Sequence, residues 1–211
     1  MIKYLTIIIA TLALVTNAKA QVITQDMQQG LGLGVRTGLN LSDLTGSSGS
    51  VKPGLKVGVF TDYYFNPKFG LELGLYYNQL GSINIIEPGT TDGKSDCLLH
   101  YANINLSAKY HVARGFRVFL GGQAGYNIAA DARRILNDGS KEYLKISSVN
   151  RYEGAAVLGV GYTFKFGLDV EANYTRGFTS VFNNNKQFNS TYALSVGWRF
   201  IGHGGRARGR K

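Results

Sequence analysis

A single cysteine, Cys97, in 211 residues excludes an internal disulfide framework and a cysteine-rich zinc site. Proline is almost as scarce, at three residues, and charged residues make up only 17%. So little charge beside 12% aromatics excludes intrinsic disorder. Beyond the first 20 residues no apolar run approaches the ~20 residues that a membrane helix needs. Helical periodicity is missing there too. What abounds is glycine, 28 residues without the three-residue period of collagen, together with 13 tyrosines. These proportions point to an all-β chain.

Residues 1–20 have the layout of an export leader. Lys3 supplies the positive start, Leu5 to Val15 an apolar run, and Ala18-Lys19-Ala20 a small-x-small site that predicts cleavage after Ala20. After Gln21 the pattern has period two. In Leu31 to Leu41, apolar side chains at odd positions alternate with Gly32, Gly34, Arg36, Gly38 and Asn40, as in a strand with one apolar and one small or polar face. Seven further segments, near 54–66, 69–82, 99–111, 116–128, 151–163, 167–178 and 190–201, repeat the theme.

The connections alternate as strictly as the residues. Those near 66–68, 112–115 and 164–166 are short, whereas those near 43–53, 83–98, 129–150 and 179–189 are long. In an up-and-down meander this puts every short turn at one end and every long loop at the other, as in transmembrane barrels. Asn137-Asp138-Gly139 predicts the tip of a hairpin that extends strands five and six beyond the barrel. The expectation is an eight-stranded antiparallel up-and-down transmembrane β-barrel. Residues 1–20 are its leader, 21–30 a periplasmic N-terminal segment, 31–201 the barrel and 202–211 a basic, flexible periplasmic tail.

Alternation does not say which face points outward; the aromatics do. Toward the short turns the apolar face carries Phe65, Phe69, Tyr110, Phe116, Tyr162, Phe166 and Phe200. Toward the long loops it carries Tyr77, Tyr126, Tyr152, Tyr174 and Tyr192. Within single strands the two sets lie eight or ten residues apart, as from Phe69 to Tyr77 and from Phe116 to Tyr126. At ~3.3 Å per residue and a tilt near ~40°, that spans roughly 20–25 Å, the height of a lipid-facing band between two aromatic girdles. The opposite face offers Arg36, Lys56, Asp62, Glu72, Lys109, Arg117, Arg151, Glu153, Asp169, Glu171 and Arg199. This nearly balanced set predicts a lumen filled by ion pairs, since an eight-stranded barrel has room for side chains and little else. A narrow ion path along the same groups is the alternative.

Three stretches resemble a known group: the Gly32–Ser42 strand, the Phe65–Leu75 turn and strand, and Tyr192-Ala193-Leu194-Ser195-Val196-Gly197-Trp198-Arg199-Phe200. The chain is similar to small, OmpA-like outer-membrane β-barrels, and more narrowly to the outer-membrane β-barrel domain of the PorT and "porin family" type. The resemblance implies a bacterial outer-membrane location and, for PorT-like members, a part in protein secretion across that membrane. It supplies no residue-level motif. Such barrels often end at the last-strand aromatic, here Phe200, whereas this chain continues through residues 201–211.

Other chemistry finds little support. Lys3, Lys19 and the tail residues Arg206, Arg208, Arg210 and Lys211 carry six of the ten net positive charges, so the basic balance is not a nucleic-acid surface. His111 and Ser107 share a face but stand about 13 Å apart along the strand, too far for a nucleophile and its base. The His-x-Ser pair of lipid-modifying barrels is missing at His100-Tyr101-Ala102. Glu87, Asp92 and Asp96 share a loop without the spacing of a calcium site. Cys97 reads as a residue at the end of that loop, and Asn183, Asn184, Asn185 and Gln187 as part of a polar, flexible one. No enzyme, cofactor or metal is expected. The expected partners are outer-membrane lipid and secretion or envelope proteins.

Overall fold

The computed structural model describes residues 30–46, 49–86, 94–113, 115–135, 141–146, 149–182 and 186–201. The leader, the N-terminal segment up to residue 29 and the basic tail lie outside this set, as do Glu87, Asp92, Asn137–Gly139 and Asn183–Asn185. Nine strands form in chain order: β1 (Gly30–Thr45), β2 (Ser50–Tyr64), β3 (Phe69–Ile86), β4 (Lys94–His111), β5 (Phe116–Ile135), β6 (Lys141–Lys145), β7 (Tyr152–Thr163), β8 (Leu168–Gly177) and β9 (Phe188–Ile201). Every pairing is antiparallel between neighbours. β1 pairs with both β2 and β9, and β4 with both β3 and β5, so eight strands close on themselves without an edge. The ninth, β6, pairs only along Asp131–Ile135 of β5. The predicted hairpin is therefore a separate short strand, with residues 146–151 intervening before β7, rather than a continuation of that strand.

Local chemistry explains the short turns. Asn66 Oδ1 accepts from the backbone N–H groups of Lys68 (2.8 Å) and Phe69 (2.9 Å), an Asx turn that reverses the chain between β2 and β3. Gly115 at φ 76° and Gly167 at φ 103° supply the left-handed residue of the other two turns. Pro53 has no N–H to donate, and it sits where β2 breaks register with β3, between Val51 and Lys56.

The strands run further toward the loops than periodicity suggests. β3, β4 and β5 extend to Ile86, Lys94 and Ile135, making one tall wall, while β7 and β8 stop at Tyr152 and Gly177. One extra residue on β5, Ile128, opposes the His100–Tyr101 step of β4. This bulge flips the side-chain alternation, so that Ala132 turns inward above it whereas Asn127 does so below. A strict period-two reading fails at such a point.

The outer face is apolar and exposed. Leu73, Leu106, Leu158 and Leu194 are each about half exposed, and Val118 and Val170 belong to the same band. Aromatic neighbours meet around the wall. Phe69 and Tyr110 lie 4.8 Å apart and Phe166 and Trp198 6.0 Å apart near the short turns, while Tyr126 and Tyr152 (5.6 Å) and Tyr174 and Tyr192 (4.8 Å) pair near the loops. Phe65, Phe116, Tyr162 and Phe200 are exposed, and Tyr77 is partly covered. Trp198, Tyr63 and Phe164 join these rings although the sequence reading left them out.

Candidate functional site

The interior is built from the alternate residues of all eight barrel strands. At the short-turn end four cations and four carboxylates interlock. Arg36 on β1 is at the centre: Nη1 donates to Glu72 Oε1 at 2.8 Å and lies 2.9 Å from Glu171 Oε2, while Nη2 donates to Asp169 Oδ1 at 3.0 Å. Lys109 pairs with Glu72, and with Glu171 at 3.4 Å. Arg117 donates to Asp169 at 2.8 Å and to Glu171. Arg199 lies 2.6 Å from Asp62 and 3.6 Å from the second oxygen of Asp169. All eight are buried, Arg117 and Asp169 fully. Opposite charges in equal number and direct contact offset the desolvation that would otherwise expel them.

Neutral groups complete this layer. Tyr76 accepts from Arg36 at 2.6 Å, and Thr163 bridges by accepting from Arg117 at 2.6 Å and donating to Asp169 at 2.8 Å. The Phe60 ring lies 4.1 Å from the Arg36 guanidinium, close enough for a cation–π contact. Glycine makes room for it: a Cβ on Gly34, which pairs with Phe60, would fall 2.6 Å from the ring. The His111 and Tyr64 rings lie 5.1 Å apart at the rim, tilted by 55°.

Above the ionic layer the interior becomes an amide-lined chamber. Asn40 donates to Asn78 at 3.0 Å and Asn78 to Asn103 at 2.8 Å. Lys56 reaches Asn173 at 3.4 Å and lies over the Tyr76 ring at 4.7 Å. Glu153 accepts from Asn189 at 2.6 Å and from Gln123 at 3.5 Å. Lys56 and Glu153 share the strand parity of the ion pairs but face this chamber instead. The cavity left between them is about 20 Å³, room for about one water.

Among the described residues the loop end of the interior carries an apolar lid. Leu44, Leu80, Cys97, Leu99, Tyr101 and Val181 form one buried cluster, with Ala130, Ile146, Val149 and Phe182 packed against it. Val181 is brought in by the connection after β8. Its N–H donates to the Gln187 carbonyl at 2.7 Å, and its carbonyl accepts from Asn150 at 2.8 Å. Most of this lid was legible in principle, because Leu44, Leu80 and Leu99 share the parity of Arg36, Glu72 and Lys109. Val181 lies outside any strand and carried no periodic signal.

Two sequence expectations need correction. Arg151 is exposed and does not reach the ionic layer: β7 starts at Tyr152, the chain bends at residue 151, and the guanidinium instead donates outward to the Tyr126 hydroxyl at 3.2 Å. Cys97 is not a loop residue but lies within β4, 4% exposed, because β4 begins at Lys94. Beside it Asp96 accepts a hydrogen bond from Arg133 Nε on β5 at 3.1 Å. Among the described residues no group of His, Cys, Asp and Glu is placed to hold a metal.

A family model described as outer membrane protein beta-barrel domain matches residues 19–183. A comparison with curated proteins finds no match. Among solved structures, Neisserial surface protein A is similar at 17% identity and a TM-score of 0.52, over 81% of this chain and 97% of that one. Ail of Yersinia pestis, solved with the heparin analogue sucrose octasulfate, gives 15% identity and a TM-score of 0.47 over 82% and 100%. OprG of Pseudomonas aeruginosa gives 15% and 0.46 over 84% and 99%. At these identities the first likeness is one of fold.

Proposed function

The chain belongs to the outer membrane protein beta-barrel domain family, and from that premise we propose that it is a closed, non-enzymatic barrel of the bacterial outer membrane that works through its loops and rim as a structural or partner-binding component. The observation that supports this reading is the packing of the described interior at two levels: a charge-balanced lattice of eight ionisable groups below and an apolar lid above. An eight-stranded wall leaves little space between them. Among the described residues the cavity between the two layers is only about 20 Å³, which supports placing function on the surfaces outside the lumen. The tall wall of β3, β4 and β5, with the exposed Tyr143 and Leu144 of β6 beside it, is the most prominent of these.

Two measurements test the proposal. Planar-bilayer recordings of the purified barrel are expected to be flat; steady conductance steps would favour a narrow path through the amide chamber past Lys56. Crosslinking in intact envelopes followed by mass spectrometry reads the partner. Repeated capture of secretion components would assign the protein to a PorT-like role, and capture of lipid alone would remove the partner-binding part of the reading. We also propose that the leader is removed after Ala20; an intact mass starting at Gln21 is expected, and a mass retaining Met1 would refute it.

A further inference from the structure

The lipid-facing wall is not uniform. Over β2 to β5 an apolar groove of about 660 Å³ is cut into its loop-side half, within the ~300–1,000 Å³ typical of small-molecule sites. Its origin is one position. On a single ladder level Tyr77 pairs with Ala102, and Ala102 with Tyr126. Two tyrosines thus flank an alanine, whose methyl group floors the slot between them. Ala124 continues the floor on the next level, opposite Ile104.

Polar groups cap the groove at its loop end. The Tyr77 hydroxyl is 2.6 Å from His100 Nδ1, and the Tyr126 hydroxyl accepts from Arg151 at 3.2 Å. Arg151 is exposed, stands outside the eight-membered ionic layer and pairs with no carboxylate among the described contacts. A cation thus stands at the mouth of an apolar slot, at the height where tyrosines mark the membrane surface.

We propose that this groove seats one acyl chain of a phosphate-bearing lipid of the outer leaflet, with Arg151 holding the phosphate. The inference rests on the membrane-barrel reading above. A chain in the bilayer already has an apolar environment, so entering the groove gains packing rather than hydrophobic burial. Selectivity therefore has to come from the headgroup, and one cation near a membrane surface is worth about fivefold in affinity for an anionic lipid.

The test uses the mature chain reconstituted in dimyristoylphosphatidylcholine vesicles, with spin-labelled phosphatidic acid or spin-labelled phosphatidylcholine as the probe. Insertion is first read from heat-modifiable gel mobility. Electron spin resonance then counts the motionally restricted lipid. The protein is expected to restrict phosphatidic acid in about fivefold preference at one site. Arg151→Gln is expected to abolish the preference while leaving the restricted phosphatidylcholine unchanged. Ala102→Phe, which fills the slot from the outside, is expected to remove one restricted site for both probes. Equal preference in the original chain and in Arg151→Gln, or an unchanged count in Ala102→Phe, would overturn the proposal while the barrel reading stands. Failure of the original chain to insert would overturn both.

Discussion

Removing Arg36 is the most informative single perturbation, because it leaves four carboxylates facing three cations in a buried layer. In Arg36→Met the guanidinium contacts to Glu72, Asp169 and Glu171 disappear together with the hydrogen bond to Tyr76. Arg36 is 2% exposed, so water has little access to the orphaned carboxylates. Breaking a buried pair from one side costs about 3–5 kcal/mol, since the cost is that of the uncompensated charge rather than of the lost contact. With a urea m-value of ~2 kcal/mol/M, the unfolding midpoint falls by about 2 M. The lone tryptophan, Trp198, lies 6.0 Å from Phe166 on the outer wall and reports the transition in detergent or vesicles by fluorescence. Adding Glu72→Gln to the same chain restores charge balance and is expected to recover ~1–3 kcal/mol through their coupling. A midpoint shift below ~0.5 M for the single variant would refute the reasoning. It would mean that water reaches the ionic layer and that its pairs are worth no more than the ~0–1 kcal/mol of surface pairs.

Other expectations follow from the inside–outside assignment. Val196→Lys, midway on β9 between Tyr192 and Phe200 and exposed on the outer face, should cost ~2–4 kcal/mol when measured in lipid, while Leu31→Lys at the strand end should cost ~0–1 kcal/mol; equal costs would argue that neither position faces hydrocarbon. Cys97 should resist a membrane-impermeant maleimide in the folded barrel and react once urea opens the lid, because it is buried beside Leu80 and Leu99; labelling of the native protein would show that the lid opens.

The sequence was enough to place Arg36, Asp62, Glu72, Lys109, Arg117, Asp169, Glu171 and Arg199 on one face of their strands, because period two is a property of the extended backbone alone. It was also enough to orient that face, because aromatics on the opposite face recur at a spacing that matches a lipid-facing band, and the charged face is the buried one. Which cation meets which carboxylate was not legible. Arg36 and Asp169 are 133 residues apart, and their contact depends on barrel closure and register. Parity also failed wherever the strand was not regular. The Ile128 bulge turned Ala132 inward, and the bend at residue 151 pointed Arg151 out.

What the amino-acid order determined by itself is the alternation, the turns and hence the class of fold. Each is set by neighbours a few residues apart, through φ preferences, Asx hydrogen bonding and side-chain parity. What only the tertiary structure decided is how the interior is packed. The lid is made where Val181, from a connection with no periodic signal, lands on Leu44, Leu80 and Leu99 from three different strands. The outer slot at Ala102 likewise exists only because pairing sets tyrosines of β3 and β5 on either side of it. Such contacts arise from distant segments, so their energy depends on register and curvature, which local sequence does not encode.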